Sequence, residues 1–139
     1  MTVTVAPTSN FNACRDIRIA VFVEEQRIPL AEEFDAVDDV AQHLLATLDN
    51  TPVGTARVYE KGGVGYIGRI CVLPAARRQK VGQKLVLAGL DAVRDMGLPT
   101  AQLSPQDHAI PFYERLGFVA YGDFYDDAGI PHKDMRRDL

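Results

Sequence analysis

The 139 residues suit one ordinary domain, residues 1–139, and a composition 47 % apolar and 24 % charged can bury a core under a polar surface. A net charge of −4 argues against a general affinity for nucleic acid, and two cysteines, Cys14 and Cys71, are too few for a disulfide framework. No apolar run is long enough to span a membrane, and the start MTVTVAPTSN lacks the basic-then-apolar order of a secretory leader, so a cytoplasmic protein with no membrane or nucleic-acid partner is expected.

In chain order, TVTV alternates and predicts a short first strand. Thr8 or Ser9 can cap a helix running to about Val23, with Phe11, Cys14, Ile17 or Arg18, and Val21 at helical spacing. Residues 24–39, EEQRIPLAEEFDAVDD, form an acidic connection broken by Pro29. QHLLATLDN and TPVGTARVYE predict a hairpin turning at Asn50-Thr51-Pro52, and a glycine turn then leads into a strand with Tyr66 to Val72 as its body. A long helix follows over roughly 78–96, with Val81, Leu85, Ala88, Ala92 and Met96 on one face and Gly97 and Pro99 ending it. TAQLS is a strand, QDHAIPFYERLG a shorter helix closed by Gly117, and FVAYGDFY and HKDMRRDL two strands around DDAG. With strands outnumbering helices and a meander in the middle, the order predicts an α+β fold: a mixed, mostly antiparallel sheet with helices on both faces.

Several motifs are excluded by context. Gly63, Gly65 and Gly68 match G-x-G-x-x-G, but a dinucleotide cradle must open a helix and this stretch leads into a strand. No Walker-type loop or G-x-S-x-G is present, and His43, His108 and His132 are too scattered for a metal pair at helical spacing, so no metal is expected.

Two stretches carry chemistry. In ARRQKVGQKL the cations Arg77, Arg78 and Lys80 precede a helix whose N-terminus is already positive, and Gly82 lies in its first turn. Free amides, helix dipole, cations and a small residue together describe a pyrophosphate cradle; a solvated basic loop beside a packing glycine is the plainer alternative. The second stretch, AIPFYERLGF, is an amphipathic helix with a glycine cap, in which Phe112 and Leu116 can simply be core and Tyr113 a half-buried aromatic.

Together they resemble the GNAT superfamily of acyl-CoA N-acyltransferases. The family's loop [QR]-x-x-G-x-[GA] after a strand is matched by Arg77-Arg78-Gln79-Lys80-Val81-Gly82. Its later N-x-x-A-x-x-F-Y-x-x-x-G-F is matched by Gln106, Ala109, Phe112, Tyr113, Gly117 and Phe118. The element order fits over essentially the whole chain, and AVFVEEQRIP, EFDAVDD, QHLLA and YIGRICVLP further resemble the ElaA-like and YjcF-like branch. Lys80 departs from the usual glycine and Gln106 from the usual asparagine.

The resemblance implies acetyl transfer from acetyl-CoA to a primary amine, small-molecule or peptide, by direct attack in a ternary complex; it leaves homodimerisation open. It implies that the pantetheine arm enters between strand 66–72 and strand 100–104, meeting main chain at Ile70, Cys71 and Val72. The pyrophosphate then sits on amides from Arg77 and Arg78 through Gln79, Lys80, Val81, Gly82 and Gln83, with Gln106, Ala109 and Phe112 against the cofactor. An amide near Val72 faces the thioester carbonyl, and Tyr113 is the acid for the departing thiolate. Cys71 is no nucleophile, because strand alternation turns it away from Ile70 and Val72. Glu24, Glu25, Glu33, Asp35, Asp38 and Asp39 are candidate proton acceptors or ligands for a cationic amine, with Glu25 preferred as base or water-linked relay. Arg18 and Arg69 either hold this acidic segment or bind an acidic substrate group. Two other readings of the fold stay open: a non-catalytic acyl-CoA sensor and a protein-interaction module.

Overall fold

The computed structural model describes residues 2–139. Its seven strands are β1 (Val3–Thr8), β2 (Gln42–Leu48), β3 (Thr51–Lys61), β4 (Val64–Val72), β5 (Thr100–Leu103), β6 (Val119–Asp127) and β7 (Ile130–Asp138). They form one sheet in the order β1-β2-β3-β4-β5-β7-β6, in which β4–β5 is the parallel pair and the other neighbours are antiparallel. Helix α3 (Val81–Asp95) packs on one face; α1 (Phe11–Arg18), continued by a π-helical stretch Ile19–Glu25, packs on the other. The mixed sheet with helices on both faces matches the α+β expectation.

The details that differ have local causes. Asn10, not Thr8 or Ser9, caps α1: its Oδ1 accepts the Ala13 amide at 3.2 Å. The β2–β3 turn is Asp49-Asn50, both at positive φ (50° and 70°), so Thr51 and Pro52 belong to β3; such a two-residue turn matches the twist of the flanking strands. The acidic connection is not irregular. It carries α2 (Leu30–Glu33) and a 3₁₀ turn Ala36–Asp39 closed by a capping box between Asp35 and Asp38. Helix α3 starts at Val81, three residues later than the periodicity predicts, because Arg78 and Lys80 are left-handed (φ 67° and 62°). Helix α4 (Ile110–Glu114) is a short piece preceded by a 3₁₀ turn Asp107–Ala109.

The glycines of the false dinucleotide motif serve a turn and close packing. Gly63 sits in the β3–β4 turn at φ +81°, and a Cβ on Gly65 would lie 2.5 Å from Val93 of α3. The main core lies under α3, around Leu44, Val58, Ile67, Leu85, Leu90 and Met135. A second, smaller cluster of Ile17, Val21 and Cys71 lies under α1.

Candidate active site

Two irregularities in β4 create the site. The first is its pairing. β4 and β5 are joined only at Gly65–Ala101 and Tyr66–Gln102, so from Ile67 onward β4 runs on without β5 beside it. The second is a bulge. Thr55 pairs with Cys71 and Arg57 with Gly68, leaving one residue on β3 opposite two on β4, and Arg69 takes φ +51°. The extra residue reverses the alternation. Ile67 packs under α3 while Cys71, four residues on, packs under α1 with Ile17 and Val21. Ile70 and Val72 keep to the main-core side, so Cys71 does turn away from them.

Two cavities open along the gap. The larger, about 660 Å³, is bounded by Ile70, Cys71 and Val72, by Arg77, Arg78 and Lys80, by the α3 start Val81, Gly82 and Gln83, and by Ala109 and Phe112. Eleven of the thirteen residues expected from sequence at the cofactor therefore line one space. Gln79 sits in the same loop without lining it, and Gln106 faces the second cavity, where its Nε2 donates to Oε1 of Gln26 at 2.7 Å. That smaller cavity, about 250 Å³, has Tyr113, Ile67, Arg69, Leu103, Gln106 and His132 among its walls. Phe22, Gln26, Ile70, His108 and Ala109 border both, so the two spaces adjoin where β4 and β5 part.

The cradle end is chemically unfinished. No side chain caps α3, and its first turn holds no acidic residue. The amides of Val81, Gly82 and Gln83 precede the first intrahelical bond, Lys84 N–H to Lys80 C=O at 3.1 Å, so they point outward without a helical partner. A Cβ on Gly82 would meet Phe112 at 3.7 Å and Val72 at 4.0 Å, which are ordinary contacts. Protein packing does not demand the glycine; it leaves the helix start bare on the cavity side. Among the described residues neither Arg78 nor Lys80 forms an ion pair. These donors fit a diphosphate group.

Arg77 is engaged. Its guanidinium makes a two-pronged pair with Glu25, at 2.8 and 2.6 Å, and its Nε donates to the Val72 carbonyl at 3.0 Å. This corrects the weight placed on Glu25 from sequence: its hydrogen bonds from Arg77 hold the carboxyl below its ordinary value, which makes it a poor proton acceptor while the pair stands.

Tyr113 is buried, with edge-to-face contacts to Phe112 (5.0 Å) and Phe118 (6.1 Å). Burial, and next the nearby Cys71, push its hydroxyl well above the ordinary range, so it keeps its proton. Burial, then Glu33, likewise pushes the Cys71 thiol far up, which removes it as a nucleophile at neutral pH.

The acidic segment is fastened rather than free. Arg18, 1 % exposed, donates to Glu33 at 2.8 Å and to Asp38 at 2.7 Å; Arg57 donates to Asp35 at 2.7 Å and Asp38 at 2.9 Å. Arg69 pairs with Glu33 at 3.2 Å and Asp35 at 3.5 Å. So Arg18 and Arg69 hold the segment in place, the first of the two roles open from sequence. Burial raises Asp38, but hydrogen bonds from Arg18 and Arg57 outweigh it and bring the carboxyl down to about 2. The hydrogen bond from Arg57 chiefly lowers Asp35, whereas burial raises Glu33 despite its two arginines. Arg57, Gln26 and His132 escape a reading of the sequence; Arg57 alone had a visible signal, a charge inside the otherwise apolar strand GTARV.

Comparison with known proteins agrees with this geometry. A profile of the acetyltransferase (GNAT) family matches residues 11–118. The uncharacterised N-acetyltransferase YjcF of Bacillus subtilis (strain 168) is 37 % identical over 123 residues, covering 88 % of this chain and 88 % of its own. Protein ElaA of Escherichia coli (strain K12) is 31 % identical over 136 residues, covering 94 % of this chain and 89 % of its own. The E. coli ElaA crystal structure superposes with a TM-score of 0.86 at 28 % identity, over 98 % of this chain and 99 % of that one. An acyl-CoA N-acyltransferase from Pseudomonas aeruginosa gives a TM-score of 0.85 at 32 % identity, over 99 % of both chains. With its sheet parted between β4 and β5, its bare α3 start and these likenesses across nearly the whole chain, the protein belongs to the GNAT acetyltransferase family, in the ElaA-like and YjcF-like branch.

Proposed function

We propose that this protein transfers an acetyl group from acetyl-CoA to a primary amine, by direct attack within a ternary complex. The observation that carries the reading is the junction of the two cavities at Ile70 and Ala109, one ending on the unfilled α3 start, the other holding Tyr113. The donor supplies an activated acyl thioester; the rest is work for this chain's own groups. The amides of Val81 to Gln83, with Arg78, Lys80 and, once it leaves Glu25, Arg77, hold the diphosphate. Main chain of Ile70 and Val72 takes the pantetheine arm in place of a β5 partner, the Val72 carbonyl once Arg77 Nε releases it, and an amide near Val72 faces the developing oxyanion. The Tyr113 hydroxyl, in the wall of the second cavity, delivers a proton to the departing thiolate. A cavity of about 250 Å³ admits a small amine or one side chain of a peptide.

Tyr113→Phe tests the reading, since it keeps the ring and its edge-to-face contacts and removes the donor. Turnover number should fall about 10²–10⁴-fold, with acetyl-CoA affinity by calorimetry little changed. The loss should shrink with a thioester whose leaving thiol needs no proton. Equal turnover with chemistry rate-limiting would remove Tyr113 from the mechanism. Absence of any acetyl-CoA thermal shift in the wild type would make the fold an interaction module, and binding without thiol release across an amine panel would make it a sensor.

A further inference from the structure

Acyl transfer to an amine requires the ammonium to lose a proton before nitrogen can attack; of the carboxylates near the gap, Glu32 and Asp127 are unpaired among the described residues but exposed, and four others are held in ion pairs. Glu25 is held by Arg77, and Glu33 by Arg18 and Arg69. Asp35 and Asp38 are held by Arg57 and Arg18. We propose that His132 is the proton acceptor for the incoming amine, acting through Nε2; the proposal rests on the acetyl-transfer reading above.

His132 lies in the wall of the Tyr113 cavity, at the start of β7. Its Nδ1 is 2.8 Å from the Ile130 carbonyl oxygen. A carbonyl only accepts, so Nδ1 carries the hydrogen and the neutral ring has its lone pair on Nε2. Among the described residues no hydrogen bond occupies Nε2. The ring is stacked on Tyr125, 6.1 Å between centroids and 26° from parallel, and the backbone is bridged to Gln106. A half-buried imidazole held in one orientation and one tautomer, with its basic nitrogen left over, is how a base is prepared. His108, the other histidine bordering the cavity, lacks this: its side chain is 72 % exposed and lies 3.8 Å from Asp107.

Charged groups lie around the ring. On β7, Asp134 accepts from Ser104 and from Tyr125, both at 2.7 Å, which fixes the stacking partner. Asp127 of β6 and Glu32 also border this cavity and belong to no ion pair among the described residues. Arg69, which also borders the cavity, is neutralised by Glu33 and Asp35. The proton balance closes. The ammonium gives one proton to Nε2, and the neutral nitrogen forms the C–N bond as the thioester C–S bond breaks. The thiolate takes the Tyr113 proton, and the second proton shed by nitrogen returns to Tyr113 through water. The imidazolium then releases its proton to solvent, so one ammonium and one thioester give amide, thiol and one released proton.

The test has an arm that needs no turnover. Nitrogen-15 NMR of histidine-labelled apo protein should show His132 as the Nδ1-protonated tautomer at neutral pH; an Nε2-protonated ring would overturn the proposal. The kinetic arm uses His132→Asn, whose side-chain amide can still donate to the Ile130 carbonyl, with His132→Gln as a second variant and thermal melting as the check on folding. Phenethylamine, an ammonium at neutral pH, and hydroxylamine, already neutral there, serve as acceptors. With phenethylamine the variants should lose about 10²-fold or more in turnover, and they should recover toward wild type as the pH rises and the amine deprotonates on its own. With hydroxylamine they should lose little, whereas Tyr113→Phe should be slow with both. An equal loss with both amines, or none with either, overturns His132 while leaving acetyl transfer intact. A wild type that releases no thiol with either amine refutes the acetyl-transfer reading, and this proposal with it.

Discussion

Two groups of cations stand in one small domain and do opposite things. Arg18 and Arg57 are buried, at 1 % and 5 % exposure, and together hold three carboxylates. Arg78 and Lys80, with Arg77, stand exposed around a bare helix start, and only Arg77 among the three has a counter-ion. Buried charge is tolerable only when paired, so the first group is bound to its partners as a matter of stability. The second group is affordable without partners because water solvates it, and its donors are therefore available to an anion. Pairing and exposure separate a structural arginine from a binding one where residue type cannot.

The sharpest break in this comparison is Arg18→Ala. It takes one of two arginine partners from each of Glu33 and Asp38, whose side chains are at most 7 % exposed and keep only Arg69 and Arg57, so stability should fall by up to about 3–5 kcal/mol. Urea unfolding measures it, and a loss below about 1 kcal/mol would mean the cluster resembles an ordinary surface network.

The opposite behaviour is expected of Arg77→Ala combined with Arg78→Ala. Exposed cations contribute little to folding, so the melting temperature should hold. Affinity for CoA should fall by about 1.5–3 kcal/mol, one charge-assisted contact's worth, because Arg77 must give up Glu25 to reach a phosphate. Calorimetric titration checks this; unchanged affinity would remove the loop from the cofactor.

Acid separates the two groups without mutation. Asp38 titrates near 2 when folded, below its ordinary value near about 4 in an unfolded chain, so its ionised form adds stability. That contribution is complete above about pH 4 and is lost as pH falls through 2, and a shift of this size is worth on the order of 2 kcal/mol. Asp35 is lowered too and acts in the same direction; Glu33, raised by burial, opposes them. Denaturation between about pH 5 and 2.5 should show the decline, and Asp38→Asn should flatten it.

Much of this was legible in the sequence, for reasons specific residues make clear. Periodicity located α1 and α3, alternation placed β1, and the turn between QHLLATLDN and TPVGTARVYE placed β2 and β3, because each of these is a local signal. The resemblance carried by Arg77, Gly82, Ala109, Phe112 and Tyr113 pointed to residues that do border the same two adjoining cavities. The partners of the acidic segment were not legible: Arg57 and Asp38 are 19 residues apart and meet only once the sheet forms. The β4 bulge was invisible because Arg69 takes a left-handed φ that its residue type does not advertise. His132 stayed hidden for a similar reason, since its anchor is a main-chain carbonyl and no sequence pattern marks that.

The smallest effect falls on Lys80, where the family pattern has glycine and this chain a side chain. Lys80 is the N-cap of α3 at φ 62° and ψ 21°, a left-handed conformation that glycine adopts freely and lysine only at a cost. Lys80→Gly should therefore relieve about 1 kcal/mol of local strain, partly offset by the greater freedom of glycine in the unfolded chain, for a net gain of up to about 0.5 kcal/mol. Melting should move up by a degree or two at most, or stay level. Its effect on CoA should have the other sign. If the ammonium reaches a phosphate, as its place beside Arg78 at the cavity edge implies, the glycine variant binds more weakly than wild type, and the difference narrows in high salt. A variant both more stable and equally tight would show that the lysine is merely tolerated at the turn. A destabilised variant would mean that Lys80 makes contacts which outweigh its strain, and would remove the left-handed turn as the reason glycine is usual at this position.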